Sequence, residues 1–188
     1  MAINLRKGGS FDLEKRLSRV RIGLAWDGNA MGGAAFDADV SVAVLKGADK
    51  KSFIADEWFI FYNNLRAPGD AVVHSGDNRT GQAEGDDETV TIDLNALPPE
   101  TTEVAVVATI HEGLARRQDW SKLKAVATLY NDADGSVLAS YPLGTDFAGK
   151  VSVQPVSLYR GEGGKWTFAA LGAGYDVGLD AFVAQWSS

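Results

Sequence analysis

Cysteine is absent from the 188 residues. That excludes disulfides, thiolate zinc sites, iron–sulfur clusters and a cysteine nucleophile. Histidine is scarce: with only His74 and His111, a zinc site would have to lean on carboxylates. Bases are in deficit, 18 Lys+Arg against 25 Asp+Glu, giving a net charge of −7 and a pI near 4.8. A chain of that sign is a poor nucleic-acid binder, because neutralising phosphates takes a surplus of Lys and Arg. No stretch approaches the ~18 consecutive apolar residues of a membrane span. Met1 to Gly8 lack the apolar region of about 7–15 residues that a secretory signal carries. The expectation is therefore a cytoplasmic, soluble protein with no direct membrane insertion. The sequence also lacks a Gly-x-Ser-x-Gly elbow, a P-loop, His-Glu-x-x-His and a dinucleotide fingerprint.

Hydrophobic residues make up 45% and charged residues 23% of the chain, enough to bury a core within a single domain spanning residues 1–188. Short β-like runs alternate with turn chemistry. Val20–Trp26 alternates and then meets a turn at Asp27-Gly28-Asn29. Phe36–Leu45, Trp58–Tyr62, Thr89–Leu94, Val104–Ile110, Leu138–Tyr141, Val151–Tyr159 and Lys165–Leu171 read as further strands. Strands of this length and spacing predict an all-β fold, an antiparallel sandwich or barrel. Ser121–Tyr130 fits a helix through Leu123, Val126 and Tyr130, and a strand through Ala125, Ala127 and Leu129. The hairpin turn at Asn131–Gly135 favours the strand for its second half. Gly178–Trp186 reads as a short amphipathic helix with Leu179, Phe182, Val183 and Trp186 on one side.

The negative charge is concentrated. Between Asp70 and Asp93 stand seven acids (Asp70, Asp77, Glu84, Asp86, Asp87, Glu88 and Asp93) against one base, Arg79. These 24 residues hold a net −6 of the chain's −7. Within them, Gly76–Glu88 is too rich in Gly for a helix and too polar for a buried strand. It reads as a sharply bending loop that collects hard oxygen donors. Two unit charges ~5 Å apart repel by about 3 kcal/mol at an effective dielectric near 20, so such a loop either stays open in water or holds a cation. Ca²⁺, which takes ~6–8 oxygens in irregular geometry, suits it better than Mg²⁺ or Zn²⁺. Asp77 and Glu88 are spaced like the ends of an EF-hand loop, but Arg79 and Gly81 stand where that loop carries ligands. Asp37 and Asp39, two apart at the start of a strand, point to one face and could meet the same ion. Asn63-Asn64 closes another strand and offers amide or carbonyl oxygens, or simply turns the chain. His74 adjoins the loop, and His111 with Glu112, Arg116 and Arg117 forms a polar cluster.

At these residues the chain resembles the TerD family of tellurium-resistance and stress proteins. The pieces that carry the resemblance are Gly23–Asp27, Phe36–Asp39, Phe61–Asn64, His74–Gly81, Glu84–Glu88, Ile92–Leu94, Leu158–Arg160, Trp166–Phe168 and Gly172–Gly174. The resemblance implies a two-sheet β-sandwich with a few short helices and no established catalysis. It also implies Ca²⁺ binding, with two ions close together. The ligands it points to are Asp37, Asp39, Asn63, Asp77, Asn78, Asp86, Asp87 and Glu88, with Gly81 giving a carbonyl. It further implies a bacterial cytoplasmic role in resistance to tellurite and chemical stress. Its partners would be other proteins of a stress-response complex, membrane-associated ones among the candidates. Two other classes stay open at this level. One is a metal-dependent hydrolase using the acidic cluster; the other is a calcium-dependent, lectin-like module stacking Trp26, Trp58 or Trp120 on a sugar.

Overall fold

The computed structural model describes residues 3–14, 16–27 and 35–187. The strands among them, in chain order, are β1 (Ile3–Asn4), β2 (Ser10–Asp12), β3 (Arg19–Trp26), β4 (Ala38–Lys46), β5 (Ser52–Phe53), β6 (Phe59–Ile60) and β7 (Val72–His74). They continue with β8 (Glu88–Asp93), β9 (Glu103–Ile110), β10 (Ala125–Asn131), β11 (Val137–Leu143), β12 (Ser152–Arg160) and β13 (Trp166–Tyr175). Two short α-helices, α1 (Gly113–Arg116) and α2 (Leu179–Val183), lie between and after them. The turn expected at Gly28-Asn29 lies outside the described residues.

The strands form two sheets, as expected of an all-β sandwich. One sheet runs β1-β11-β10-β3-β8-β7, and the other runs β2-β13-β12-β9-β4-β5 with β6 also on β4. The described pairings are antiparallel except β1 with β11. Burial explains the difference between the sheets. β8 alternates buried and half-buried residues, because one face meets the core and the other meets water. β9 is buried along its whole length, and β4 along all but Lys46. Their inner faces, with Val40, Val42, Val44, Val104 and Val106, pack against Val20, Ile22, Leu24, Val90 and Ile92 of the first sheet. Their outer faces, with Ala43, Leu45, Ala105 and Val107, lie under Phe182 and Trp186 of the C-terminal segment. A strand covered on both sides has no reason to alternate, which is why Val104–Ile110 is an unbroken apolar run but for Thr109.

The ambiguous segment resolves as a single 3₁₀ turn, Trp120–Lys122, followed by β10. Strand pairing decides it: β10 bonds to β3 on one side and β11 on the other, and Ala125, Ala127 and Leu129 face inward. The Asn131–Gly135 turn joins β10 to β11 as expected. In Trp58–Tyr62 only Phe59–Ile60 is a strand. Phe61 and Asn64 then close a tight turn through paired backbone hydrogen bonds of 3.0 and 2.9 Å, and the Asn64 amide donates to Phe59 O at 2.7 Å.

The C-terminal helix seals the outer face of the second sheet largely through Phe182, which is 1% exposed. Phe182→Ala should lower unfolding free energy by about 3–5 kcal/mol, read as a shift of the urea midpoint at unchanged slope.

Candidate metal centre

Ala38 and Val40 face the core between the sheets. The period of two therefore turns Asp37 and Asp39 to the other side of the chain. Asp39 lies opposite Thr109 of β9 and is only 3% exposed. Asp77 arrives from the loop between β7 and β8, which belongs to the other sheet. Carboxylate oxygens of Asp37, Asp39 and Asp77 lie within 4.8 Å of one another. They line a hollow of about 340 Å³ together with Ala35, Tyr62, Arg79, His111 and Arg116.

The electrostatics of this cluster are unfavourable as it stands. Oδ1 of Asp37 is buried with no hydrogen-bond partner. Burial, and then the neighbouring carboxylates Glu88, Asp37 and Asp77, push Asp39 up from 3.8 to about 8. Burial also raises Asp37, with Asp77 adding to the rise while His111, Arg116 and Arg79 oppose it. Asp77 is more exposed and accepts from Arg79 Nε at 2.8 Å. Pairs of charges at these spacings repel by about 3–4 kcal/mol at an effective dielectric of 20. Protonation of Asp39 relieves part of that repulsion.

Glu88, Asp87 and Asp86 have other partners. Glu88 is buried, and its Oε2 accepts from Val40 N at 2.8 Å while Oε1 accepts from Asn78 N at 3.0 Å. His74 completes the arrangement. Gly76 N donates to His74 Nδ1 at 2.9 Å, which leaves the proton on Nε2 to donate to Val40 O at 2.9 Å. Both backbone groups of Val40 face away from β9, so Glu88 and His74 serve it in place of a neighbouring strand. Asp87 accepts from Trp26 N and Ala83 N, each at 2.9 Å, and from the Asn78 amide at 3.3 Å. Asn78 Oδ1 accepts from Thr80 N at 3.0 Å and from its hydroxyl at 3.1 Å. Asp86 turns to the outer face of the first sheet, where it accepts from Arg21 at 3.0 Å and from the Tyr130 hydroxyl at 3.2 Å. Arg21 in turn lies 4.0 Å over the Tyr130 ring.

Of the nine residues anticipated as ligands, the structure thus gathers Asp37, Asp39 and Asp77. It gives Asn78, Asp86, Asp87 and Glu88 hydrogen-bonding roles. Asn63 is exposed in the turn after β6. Gly81 adopts φ +59° in the loop, and neither of these two lines the hollow. Sequence reasoning missed Tyr62, whose ring meets His111 edge-on at 6.2 Å, and noted His111 and Arg116 only as part of a polar cluster. The usable signal for Tyr62 was its place beside the Asn63-Asn64 turn. Gly23 was read as part of a strand and of the piece Gly23–Asp27 that carries the family resemblance, without a reason for glycine there. A Cβ there would fall 2.1 Å from an Asp86 carboxylate oxygen, so only glycine lets Asp86 lie across β3.

A two-sheet sandwich that gathers carboxylates where the start of β4 meets the β7–β8 loop is the class of protein described so far. The sequence matches the TerD domain over residues 1–186, and the chain belongs to the TerD family. It is 39% identical over 190 residues to the tellurium resistance protein TerD of Serratia marcescens, covering 99% of this chain and 97% of that one. It is 42% identical over 184 residues to general stress protein 16U of Bacillus subtilis (strain 168), covering 95% and 94%. Among solved structures, a homologue of telluride resistance protein (TerD) from Streptomyces coelicolor A3(2) has the same fold. Its TM-score is 0.70 at 19% identity, with 92% of this chain and 99% of that one covered.

Two outcomes follow from this geometry. Gly23→Ala should destabilise by about 1–3 kcal/mol through overpacking against Asp86, and Asp86→Ala in the same chain should restore part of the lost urea midpoint. The second concerns pH. Because the folded-state value of Asp39 lies above its unfolded one, its contribution is fully present below pH ~4 and is lost as pH rises towards 8. In chelator, the melting temperature of Asp39→Asn relative to wild type should therefore climb between pH 5 and pH 8; a difference independent of pH would refute the assignment.

Proposed function

We propose that this chain is a calcium-binding, non-catalytic module of a bacterial stress response of the tellurite-resistance type, acting in the cytoplasm alongside partner proteins of a stress-response complex. The observation that carries the cation reading is Asp39. It is 3% exposed, accepts no hydrogen bond among the described residues, and faces two further aspartates across an open hollow. A buried carboxylate without a partner is a costly group, and a cation is the partner its surroundings suit.

The donor set fits a hard ion. All three candidate ligands are carboxylates, cysteine is absent from the chain, and the one histidine at the rim sits beside the acids rather than among them. Oxygens up to 4.8 Å apart match the span across an ion with ligand distances of about 2.3–2.6 Å, the range of Ca²⁺. Asp37, Asp39 and Asp77 would hold it. The ion would supply the positive charge the cluster lacks, and Asp39 would give up its proton on binding. The stress role is supported by the relatives, which are named for tellurium resistance and general stress rather than for a reaction.

Calorimetric titration of chelator-stripped protein tests this reading. Calcium should bind more tightly than magnesium, the stoichiometry should report whether a second ion joins the first, and Asp39→Asn should remove the signal. At 100 times its Kd, calcium should add about 2.7 kcal/mol of stability. Below pH ~8, binding should release protons, seen as a heat that varies with the ionisation enthalpy of the buffer. No uptake at millimolar calcium would sink the proposal.

A further inference from the structure

The hollow that holds the three aspartates has a basic wall as well as an acidic floor. Arg79, His111 and Arg116 line it with Tyr62. Guanidinium groups carry donors and no acceptor, so the arginines cannot ligate a hard cation. They nevertheless share the hollow with the carboxylates, and Arg79 holds Asp77 directly at 2.8 Å.

Two of these side chains have bonding capacity to spare. Arg116 directs Nε and one terminal nitrogen to the same oxygen of Glu112, at 3.1 and 2.8 Å, leaving its other terminal nitrogen without a bond among the described residues. Arg79 is 75% exposed and holds Asp77 through Nε alone. In that position the Arg79 guanidinium occupies the role of a cation for Asp77. An ion bound by Asp77 would displace it, freeing a planar fork at the mouth of the hollow. Ca²⁺ takes ~6–8 oxygens, and the three carboxylates do not fill that number if each binds through one oxygen. Arg79 and Arg116 line the same hollow as the three carboxylates, so a ligand filling the remaining positions would meet them. Arginine forks match the spacing of oxygens on phosphate-type anions.

We propose that the hollow binds a small oxyanion with three oxygens on one face, one oxygen meeting the divalent cation and the others received by Arg79 and Arg116. This rests on the cation reading above and adds the class of ligand that the same site would take. A phosphate monoester and a chalcogen oxyanion such as tellurite share this chemistry. Asp37 and Asp39 make the hollow more than a surface cleft: Asp39 lines it at 3% exposure, and among the described residues Asp39 accepts no hydrogen bond and the buried Oδ1 of Asp37 has no partner, so the cation that the anion needs has a reason to be there.

The test titrates methylphosphonate, and separately tellurite, into calcium-saturated and chelator-stripped protein, with protein-free calcium as the blank. At least one probe should bind the calcium-loaded protein at least tenfold more tightly than the stripped protein. Arg79→Gln and Arg116→Gln should each weaken that binding about tenfold or more, the scale of a lost charge-assisted hydrogen bond. Arg79→Gln should bind calcium at least as tightly as wild type, since the competitor for Asp77 is gone. Binding of one probe but not the other identifies the phosphorus or the chalcogen class as the ligand. If calcium binds but neither probe does, or if both variants bind the probes like wild type, the oxyanion inference falls and the cation reading stands. Weaker calcium binding by Arg79→Gln overturns the exchange of Arg79 between Asp77 and the anion. If calcium itself fails to bind, both readings fall together.

Discussion

Asp39 sits near the start of β4, opposite Thr109 of β9, and is only 3% exposed although it lines the hollow. Placing an unpaired carboxylate there sets the rest of the site. It must be protonated, or it must be matched by positive charge. Every group around it bears on that choice. Asp37 and Asp77 press it towards the neutral form, and Arg79 presses it towards the charged one. The buried, unpartnered Oδ1 of Asp37 poses the same problem a second time. A fold that tolerates two such groups side by side is giving up stability in its ion-free form. That sacrifice has a physical rationale if another species completes the cluster.

Asp77, Asp87 and Glu88, which lie between β7 and the first residue of β8, divide into two kinds, and the difference lies in what their oxygens receive. Asp87 and Glu88 receive backbone N–H groups from Trp26, Ala83, Val40 and Asn78. A carboxylate used this way acts as a fastener: it satisfies orphan donors and fixes the path of the chain. Glu88 and His74 together serve both backbone groups of Val40, the residue next to Asp39. The loop is thus tied to the very strand that carries the candidate ligands. Among the described residues Asp77 receives only an exposed arginine, the weakest kind of partner.

The fold was legible because its strands obey simple periodicities. Alternation in Thr89–Leu94 announces a strand with one wet face, and the unbroken run Val104–Ile110 announces one covered on both. The pairing of Asp37 with Asp39 was legible for the same reason, since residues two apart share a side. The short strands β1, β2, β5 and β7 were not, because a few residues carry no period. Neither was α1. It is bounded by Glu112 and Arg117, both with left-handed backbone although neither is glycine. Which loop acids reach the hollow was also hidden. Asp77 and Asp87 are the same residue type in the same loop. Their fates differ only through hydrogen bonds to Trp26 and Ala83, which exist once the sheets have assembled. The need for glycine at position 23 is hidden in the same way, because it depends on Asp86 lying across β3 from 63 residues away.

The order of these dependencies bears on how a cation would act. If the loop were held only by an ion, binding would have to offset the entropy of ordering some dozen residues, at about 1–2 kcal/mol each, and affinity would suffer accordingly. Here Asp87, Glu88, Asn78 and His74 order the loop with hydrogen bonds that need no ion. The backbone that carries Asp77 is therefore already in place beside Asp37 and Asp39. What an ion would have left to do is local: displace a proton from Asp39 and a guanidinium from Asp77. Both are exchanges of one positive charge for another, and neither requires the sheets to move. The acidic loop is then better described as a scaffold with one available ligand than as a flexible cage. Of the carboxylates that first suggest crowding around a metal, Asp87 and Glu88 hold the path of the chain and Asp86 bonds to Arg21 and Tyr130 on the outer face.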